Sequence, residues 1–159
     1  MTIRQINTPI GPLTLTVEDG YLTRLEFGAP ATLGEGSPRD SEVLDKAIRE
    51  IQLYFQGRLT EFSIPVSLKG PPFHLKVWQE LKKIPYGETR TYQEIAESLG
   101  SPKAARAVGN ACAANPVAIV VPCHRVLAKT GLGGFGGGLA VKKWLLRHEG
   151  VSVDDRKAT

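Results

Sequence analysis

An α+β chain in two units is predicted by three features of the 159-residue sequence. Two strand-like runs are joined by an Asp-Gly turn near the N-terminus, the charge changes sign at Gly70-Pro71-Pro72, and two closely spaced helix starts lie beyond that break. The architecture expected is a small hairpin-based sheet covered by one helix over residues 1–70. A helical unit containing a helix-turn-helix follows over 71–152, with a short charged tail at 153–159.

In residues 12–18, Leu13, Leu15 and Val17 share one face at period two. Residues 21–27 follow after Asp19-Gly20, and an Asp-Gly pair suits a tight hairpin because both central positions want positive φ. Gly, Pro and Ser make 30–40 read as a loop. From 41 to 56, Val43, Leu44, Ala47, Ile48, Ile51, Tyr54 and Phe55 recur at helical spacing. A short strand is expected near Phe62-Ser63-Ile64.

Beyond the break, residues 73–83 carry Leu75, Val77, Trp78 and Leu81, a short helix that stops before Pro85-Tyr86-Gly87. Thr91-Tyr92-Gln93-Glu94 has the form of a capping box. Tyr92, Ile95, Ala96 and Leu99 make the inward stripe of that helix, and Gly100 ends it. Ser101-Pro102 opens a second helix over 102–113, a capping hydroxyl followed by proline at the first helical position. On this helix Ala104, Val108, Ala111 and Cys112 face inward, so Cys112 is expected to be an inert core thiol. The opposite face collects Ala105, Arg106, Gly109 and Ala113, one long cation among small side chains. Such a face either approaches a narrow nucleic-acid groove closely or packs on another protein element.

Composition narrows the function classes. The chain is 42% hydrophobic and 23% charged, enough for a core. It has no apolar stretch approaching the roughly 18–20 residues of a membrane span. The start, MTIRQINTPIGPLT, has no basic-then-apolar leader, so a cytoplasmic location away from membranes is expected. Cys112 and Cys123 make neither a disulfide framework nor a usual structural zinc site, and no metal or cofactor is expected. Net charge is −2 up to residue 70 and +6 beyond it. A basic half suits a polyanionic partner, nucleic acid first, or is a merely solvated basic surface.

The most informative stretch is Asn115-Pro116-Val117-Ala118-Ile119-Val120-Val121-Pro122-Cys123-His124-Arg125. Its β-branched run is expected to bury itself as a strand that Pro122 ends, presenting Cys123 beside a histidine and an arginine. A thiolate is a strong nucleophile, and cationic or basic neighbours lower its pKa. His124 is then the candidate base, reaching Cys123 after a turn or through a water, and Glu149 is the candidate that holds its tautomer. The same pair also reads as a buried inert thiol beside a surface histidine, or as the centre of a cysteine hydrolase.

Pro122-Cys123-His124-Arg125-Val126, preceded by Asn115-Pro116-Val117, resembles the active-site signature of O6-alkylguanine-DNA alkyltransferases (methylated-DNA–protein-cysteine methyltransferases). The similarity continues in Ile84-Pro85-Tyr86-Gly87-Glu88-Thr89, the helix from Tyr92, Lys103-Ala104-Ala105-Arg106-Ala107-Val108-Gly109, Gly137-Gly138-Leu139, Trp144-Leu145-Leu146 and His148-Glu149-Gly150. Thr8-Pro9-Ile10-Gly11-Pro12-Leu13 is similar to the family's N-terminal strand, and coverage is essentially 1–150.

The resemblance implies a ribonuclease-H-like N-terminal domain and a helical C-terminal domain with a winged-helix-like helix-turn-helix. It implies direct-reversal repair of O6-alkylguanine in double-stranded DNA, with O4-alkylthymine left open. In that reading Cys123 accepts the alkyl group once and irreversibly, His124 activates it through a water, and Glu149 orients His124. Asn115 braces the turn presenting the cysteine. Tyr92 assists nucleotide rotation and protonates the departing guanine. Arg106 fills the gap left in the duplex, with Ala105, Ala107 and Gly109 allowing close approach through the minor groove, largely without sequence preference. Val126, Phe135, Gly136 and Gly137 form the base pocket. A monomer is expected, with cooperativity on DNA open.

The chain departs from the family pattern in its loop 131–138, which is about one residue shorter than usual. Phe135 stands where tyrosine is frequent, and Gly136 where a small polar residue is often found. Alkyltransferase-like regulators bind lesions without chemistry, and the presence of Cys123 favours transfer over that reading.

Overall fold

In the computed structural model, which describes residues 1–29, 34 and 36–153, the chain divides into two compact units. One comprises Met1–Leu68 with Pro116–Ala118, the other Lys69–Asn115 with the chain from Ile119 onward.

The first unit is built on an antiparallel sheet of β1 (Thr2–Thr8), β2 (Gly11–Glu18) and β3 (Tyr21–Phe27), in that order. The Asp-Gly turn between β2 and β3 has φ +51° at Asp19 and +81° at Gly20, the conformation for which that pair is suited. β2 is central and buries Thr14 and Thr16 as well as Leu13, Leu15 and Val17. Thr14 Oγ1 donates to the Gly28 carbonyl at 2.7 Å, so its polar group is satisfied. Periodicity does not reveal β1, whose TIRQINT sequence is largely polar; its register with β2 runs from Thr2↔Val17 to Thr8↔Gly11.

Helix α1 (Pro38–Phe55) lies against the sheet and buries Leu44, Ala47, Ile51 and Tyr54. It starts before residue 41, where the apolar period begins. The Ser37 side chain accepts the Asp40 N–H at 3.1 Å and Pro38 occupies the first turn. Asp40 is buried, and its carboxylate accepts the Gly20 N–H at 2.7 Å, tying the hairpin turn to the helix start. Residues 30–33 and 35 of the expected loop lie outside the described residues, as do 154–159 of the expected tail.

The strand expected near Phe62-Ser63-Ile64 does not form. Instead Val66 makes an isolated parallel bridge to Leu22. The Pro65 carbonyl accepts from Leu22 N–H at 2.8 Å, and a proline that has no N–H of its own stops the ladder there. Further along β3, Leu25 exchanges hydrogen bonds with the Pro116 carbonyl and the Ala118 N–H, at 2.9 and 3.1 Å. The outer edge of β3 is thereby occupied, and Pro116–Ala118 belongs to this unit for that reason.

The second unit packs α2 (Pro72–Leu81), α3 (Tyr92–Ser98), α4 (Ala105–Ala113) and α5 (Leu139–His148) beside a short parallel pair, β4 (Arg90–Thr91) with β5 (Val126–Leu127). Val77, Trp78, Leu81, Ile95, Ala96, Val108, Ala111, Leu145 and Leu146 form its core. Trp78 Nε1–H donates to the Ala111 carbonyl at 2.8 Å, fixing α2 against α4. The capping box of α3 is present in both directions: Thr91 accepts the Glu94 N–H and Glu94 accepts the Thr91 N–H.

Two elements differ from those expected. The second helix begins at Ala105, not 102, because the Ser101 carbonyl accepts the Ala104 N–H at 2.9 Å and closes a turn over Pro102-Lys103. Proline suits the second position of a β-turn as well as it suits a helix start. The connection between α3 and α4 is therefore Leu99–Ala104. Residues 117–121, in turn, are not a strand. Ile119 has φ +71°, a left-handed conformation costing a β-branched residue about 1–3 kcal/mol. The chain turns there, and Cys123 opens a 3₁₀ turn (Cys123–Arg125) instead of closing a strand. No helix among the described residues is long and apolar enough to cross a membrane.

Candidate active site

Cys123 is the first residue of the 3₁₀ turn, only 8% exposed, and it faces a cavity of about 910 Å³. Asn115, just beyond α4, donates from Nδ2 to the Val121 carbonyl at 2.8 Å, closing the loop that delivers the cysteine. Burial pushes the Cys123 thiol up; the Asn115 amide, the Lys142 charge and the N–H groups of Cys123 and His124 pull it down without prevailing. The expected lowering is thus corrected: desolvation outweighs the stabilising partners, and the resting group is a thiol.

Behind the sulfur lies a buried ionic cluster. His124 Nε2 is 2.7 Å from Glu149 Oε2. Arg125 donates to both Glu149 oxygens, from Nε to Oε1 at 2.7 Å and from Nη2 to Oε2 at 3.1 Å. Arg125 Nη1 donates to the Ile84 carbonyl at 2.7 Å, and its guanidinium lies 5.8 Å from the Tyr86 ring centroid. The Tyr86 hydroxyl donates to the His148 carbonyl at 3.2 Å, one residue before Glu149. Burial alone would raise the Glu149 carboxyl, but hydrogen bonds from His124 and Arg125 outweigh it and hold the group at about 2. Burial pushes the imidazole of His124 down, against the hydrogen bond and charge of Glu149. A neutral ring beside a carboxylate carries its proton on Nε2. Nδ1 is buried and has no hydrogen-bond partner among the described residues, which leaves one ring nitrogen able to accept a proton.

The cavity is walled by α3, α4 and the glycine-rich loop. Tyr92, Ala105, Arg106 and Gly109 line it, whereas Ala107 does not; Phe135 and Gly136 line it, whereas Val126 and Gly137 do not. Val126 is fully buried, and its carbonyl accepts from Lys142 Nζ at 2.7 Å. Tyr92 opens α3, and its ring lies against two glycines. A Cβ built on Gly133 would be 2.7 Å from the Tyr92 hydroxyl, and one on Gly109 would be 3.8 Å from Cε1.

Cys112 requires a correction. It is half-buried and lines the same cavity as Cys123, because the cavity replaces packed core on that flank of α4. Burial, then the neighbouring Cys123, push its thiol up to about 12, so it stays protonated. Sequence reasoning missed two further residues. Arg125, next but one to the thiol in sequence, clamps Glu149. Lys142 carries a legible signal: Lys142, Leu145 and Leu146 share the buried face of α5, a lysine within an apolar stripe that runs on to Glu149 at the C-cap. Among the described residues no cluster of His, Cys, Asp and Glu could hold a metal ion.

Comparison with known proteins gives a consistent picture. Residues 1–68 match the family described as 6-O-methylguanine DNA methyltransferase, ribonuclease-like domain, and residues 72–151 match its DNA binding domain. A methylated-DNA–protein-cysteine methyltransferase of Mycolicibacterium paratuberculosis is 48% identical over 160 aligned residues, covering 94% of this chain and 95% of the relative. The crystal structure of Mycobacterium tuberculosis OGT in complex with DNA superposes with a TM-score of 0.85 at 43% identity, covering 99% of this chain and 98% of that one. An O6-methylguanine DNA methyltransferase from Methanococcus jannaschii gives a TM-score of 0.69 at 33% identity, with 97% and 96% coverage.

Proposed function

The chain belongs to the 6-O-methylguanine DNA methyltransferase family, and from that premise we propose that Cys123 is the acceptor in direct-reversal repair of O6-alkylguanine in DNA. The observation that carries this assignment is the opening of Cys123 onto a cavity of about 910 Å³, with the unpartnered Nδ1 of buried His124 in the adjacent residue.

Each resting state suits its role. The thiol proton passes to neutral His124 through a water, and Glu149, anionic down to about 2, stabilises the imidazolium that forms. The sulfur then attacks the alkyl carbon, a carbon–sulfur bond forms, and the bond from that carbon to O6 breaks. Guanine leaves with the electron pair and takes a proton from Tyr92, and the proton held by the His124 imidazolium returns to the phenolate through solvent. The product is a thioether with no good leaving group, so each molecule reacts once.

The alkyl carbon lies within a stacked duplex, so the nucleotide must rotate out at a cost of a few kcal/mol. Arg106, exposed at the cavity rim between Ala105 and Gly109, supports its assignment as the side chain that fills the vacancy. Small neighbours let α4 approach the minor groove closely. Residues 71–152 would carry both binding and transfer, in a monomer whose affinity falls with salt and varies little with sequence.

Intact-mass and peptide mass spectrometry after incubation with an O6-methylguanine duplex tests the reading. One methyl group on Cys123, absent from Cys123→Ala, is expected. Binding with no methylation would mean lesion recognition without transfer and would sink it.

A further inference from the structure

Lys142 has no part in the chemistry just described, yet it is fully buried. Its ammonium donates to three carbonyls, those of Val126 at 2.7 Å, Leu132 at 2.5 Å and Gly134 at 3.1 Å. These belong to the end of the segment running on from the Cys123 turn and to the glycine-rich loop. A lysine has three N–H donors, and here all three are spent on backbone that would otherwise run between Val126 and α5 without regular pairing. Burying an ammonium is costly unless it is fully hydrogen-bonded, so the fold spends a cation on setting the path of this loop.

The loop in turn sets Tyr92. The backbone at Gly134 draws the pKa of the Tyr92 hydroxyl down, against burial, which raises it. Gly133, at φ +75°, leaves the space a Cβ would fill 2.7 Å from that hydroxyl, and Lys142 Nζ is 5.9 Å from the centroid of the ring. One side chain on α5 therefore reaches Tyr92, on α3, through two loop residues.

We propose that Lys142 is a positioning residue for alkyl transfer: by gathering the carbonyls of Val126, Leu132 and Gly134 it fixes the loop that holds the Tyr92 hydroxyl at the cavity. This rests on the transfer reading above, in which Tyr92 protonates the leaving base. Lys142 acts through Tyr92 and does not itself touch the reacting atoms.

A double-mutant cycle tests it, using single-turnover transfer from an O6-methylguanine duplex by the full chain. Lys142→Met is expected to slow transfer about 10-fold when Tyr92 is present and less than about 2-fold in the Tyr92→Phe background. A merely structural lysine would slow both proteins by the same factor, and that result overturns the proposal. Should Lys142→Met fail to fold by circular dichroism, the cycle is read with Lys142→Gln, which keeps donors without charge, against the same two outcomes. Absence of transfer by the unsubstituted chain would refute the alkyl-transfer reading itself, whereas transfer with equal factors refutes only the role of Lys142.

Discussion

Glu149 Oε2 lies 2.7 Å from His124 Nε2, and both side chains are wholly excluded from solvent. Arg125 occupies the same carboxylate from the other side, so one negative charge serves two partners. Glu149→Gln keeps the shape and removes the charge, leaving the Arg125 guanidinium buried and uncompensated. Breaking a buried pair in this way costs about 3–5 kcal/mol, measurable by urea denaturation. Transfer from an O6-methylguanine duplex is expected to slow by about 100-fold or more, because the imidazolium loses its counter-charge.

The same cluster fixes an acid limb. Glu149 is held at about 2 in the fold against an ordinary 4.5, so its contribution to stability is present above about 4.5 and disappears as pH falls toward 2. His124 is lowered from 6.5, so below 6.5 the unfolded chain binds a proton that the folded chain refuses. Both groups make the unfolded state the better proton binder in acid, and stability falls as pH drops below 6.5. The lowered imidazole also keeps the base unprotonated, so the transfer rate should hold below pH 6.5 and fall only at the depressed His124 value. A chevron series from pH 4 to 8 beside a rate profile checks both; stability that rises on acidification would contradict the assignment.

Arg106→Ala separates DNA handling from chemistry. The side chain is exposed at the cavity rim and distant in role from the buried cluster. Its loss is expected to slow repair of a duplex on the order of 10-fold or more, given the few kcal/mol that nucleotide extrusion costs. Reaction with free O6-benzylguanine should change little. Equal losses on the two substrates would remove the assigned role.

Gly133→Ala tests the seat of Tyr92. The added methyl meets the tyrosine at 2.7 Å, on a backbone already at φ +75°. Left-handed backbone alone costs a non-glycine residue about 1–2 kcal/mol. A lower melting temperature together with slower transfer is expected, while Gly134→Ala, with nothing within 4 Å of its added carbon, should leave the melting temperature close to that of the parent.

Local patterns determined much of this protein on their own. The Asp19-Gly20 turn, the Thr91–Glu94 capping box, the apolar stripe of α1 and the stop at Gly100 depend on neighbours within a few residues, and short-range sterics and hydrogen bonds suffice to specify them. The motif around Cys123 was legible for the same reason, as a thiol, an imidazole and an arginine in succession.

The remaining features depend on partners far apart in the chain. Val117 was drawn to the edge of β3, so the apolar run became a turn at Ile119 and not a strand. Cys112 faced a cavity where helical periodicity put it in the core. Arg125 found Glu149, and Lys142 found carbonyls up to 16 residues away. The Cys123 pKa went up, not down, because burial is a property of the assembled unit. Desolvation and long-range hydrogen bonding have no local signature, so they are settled only when distant segments meet.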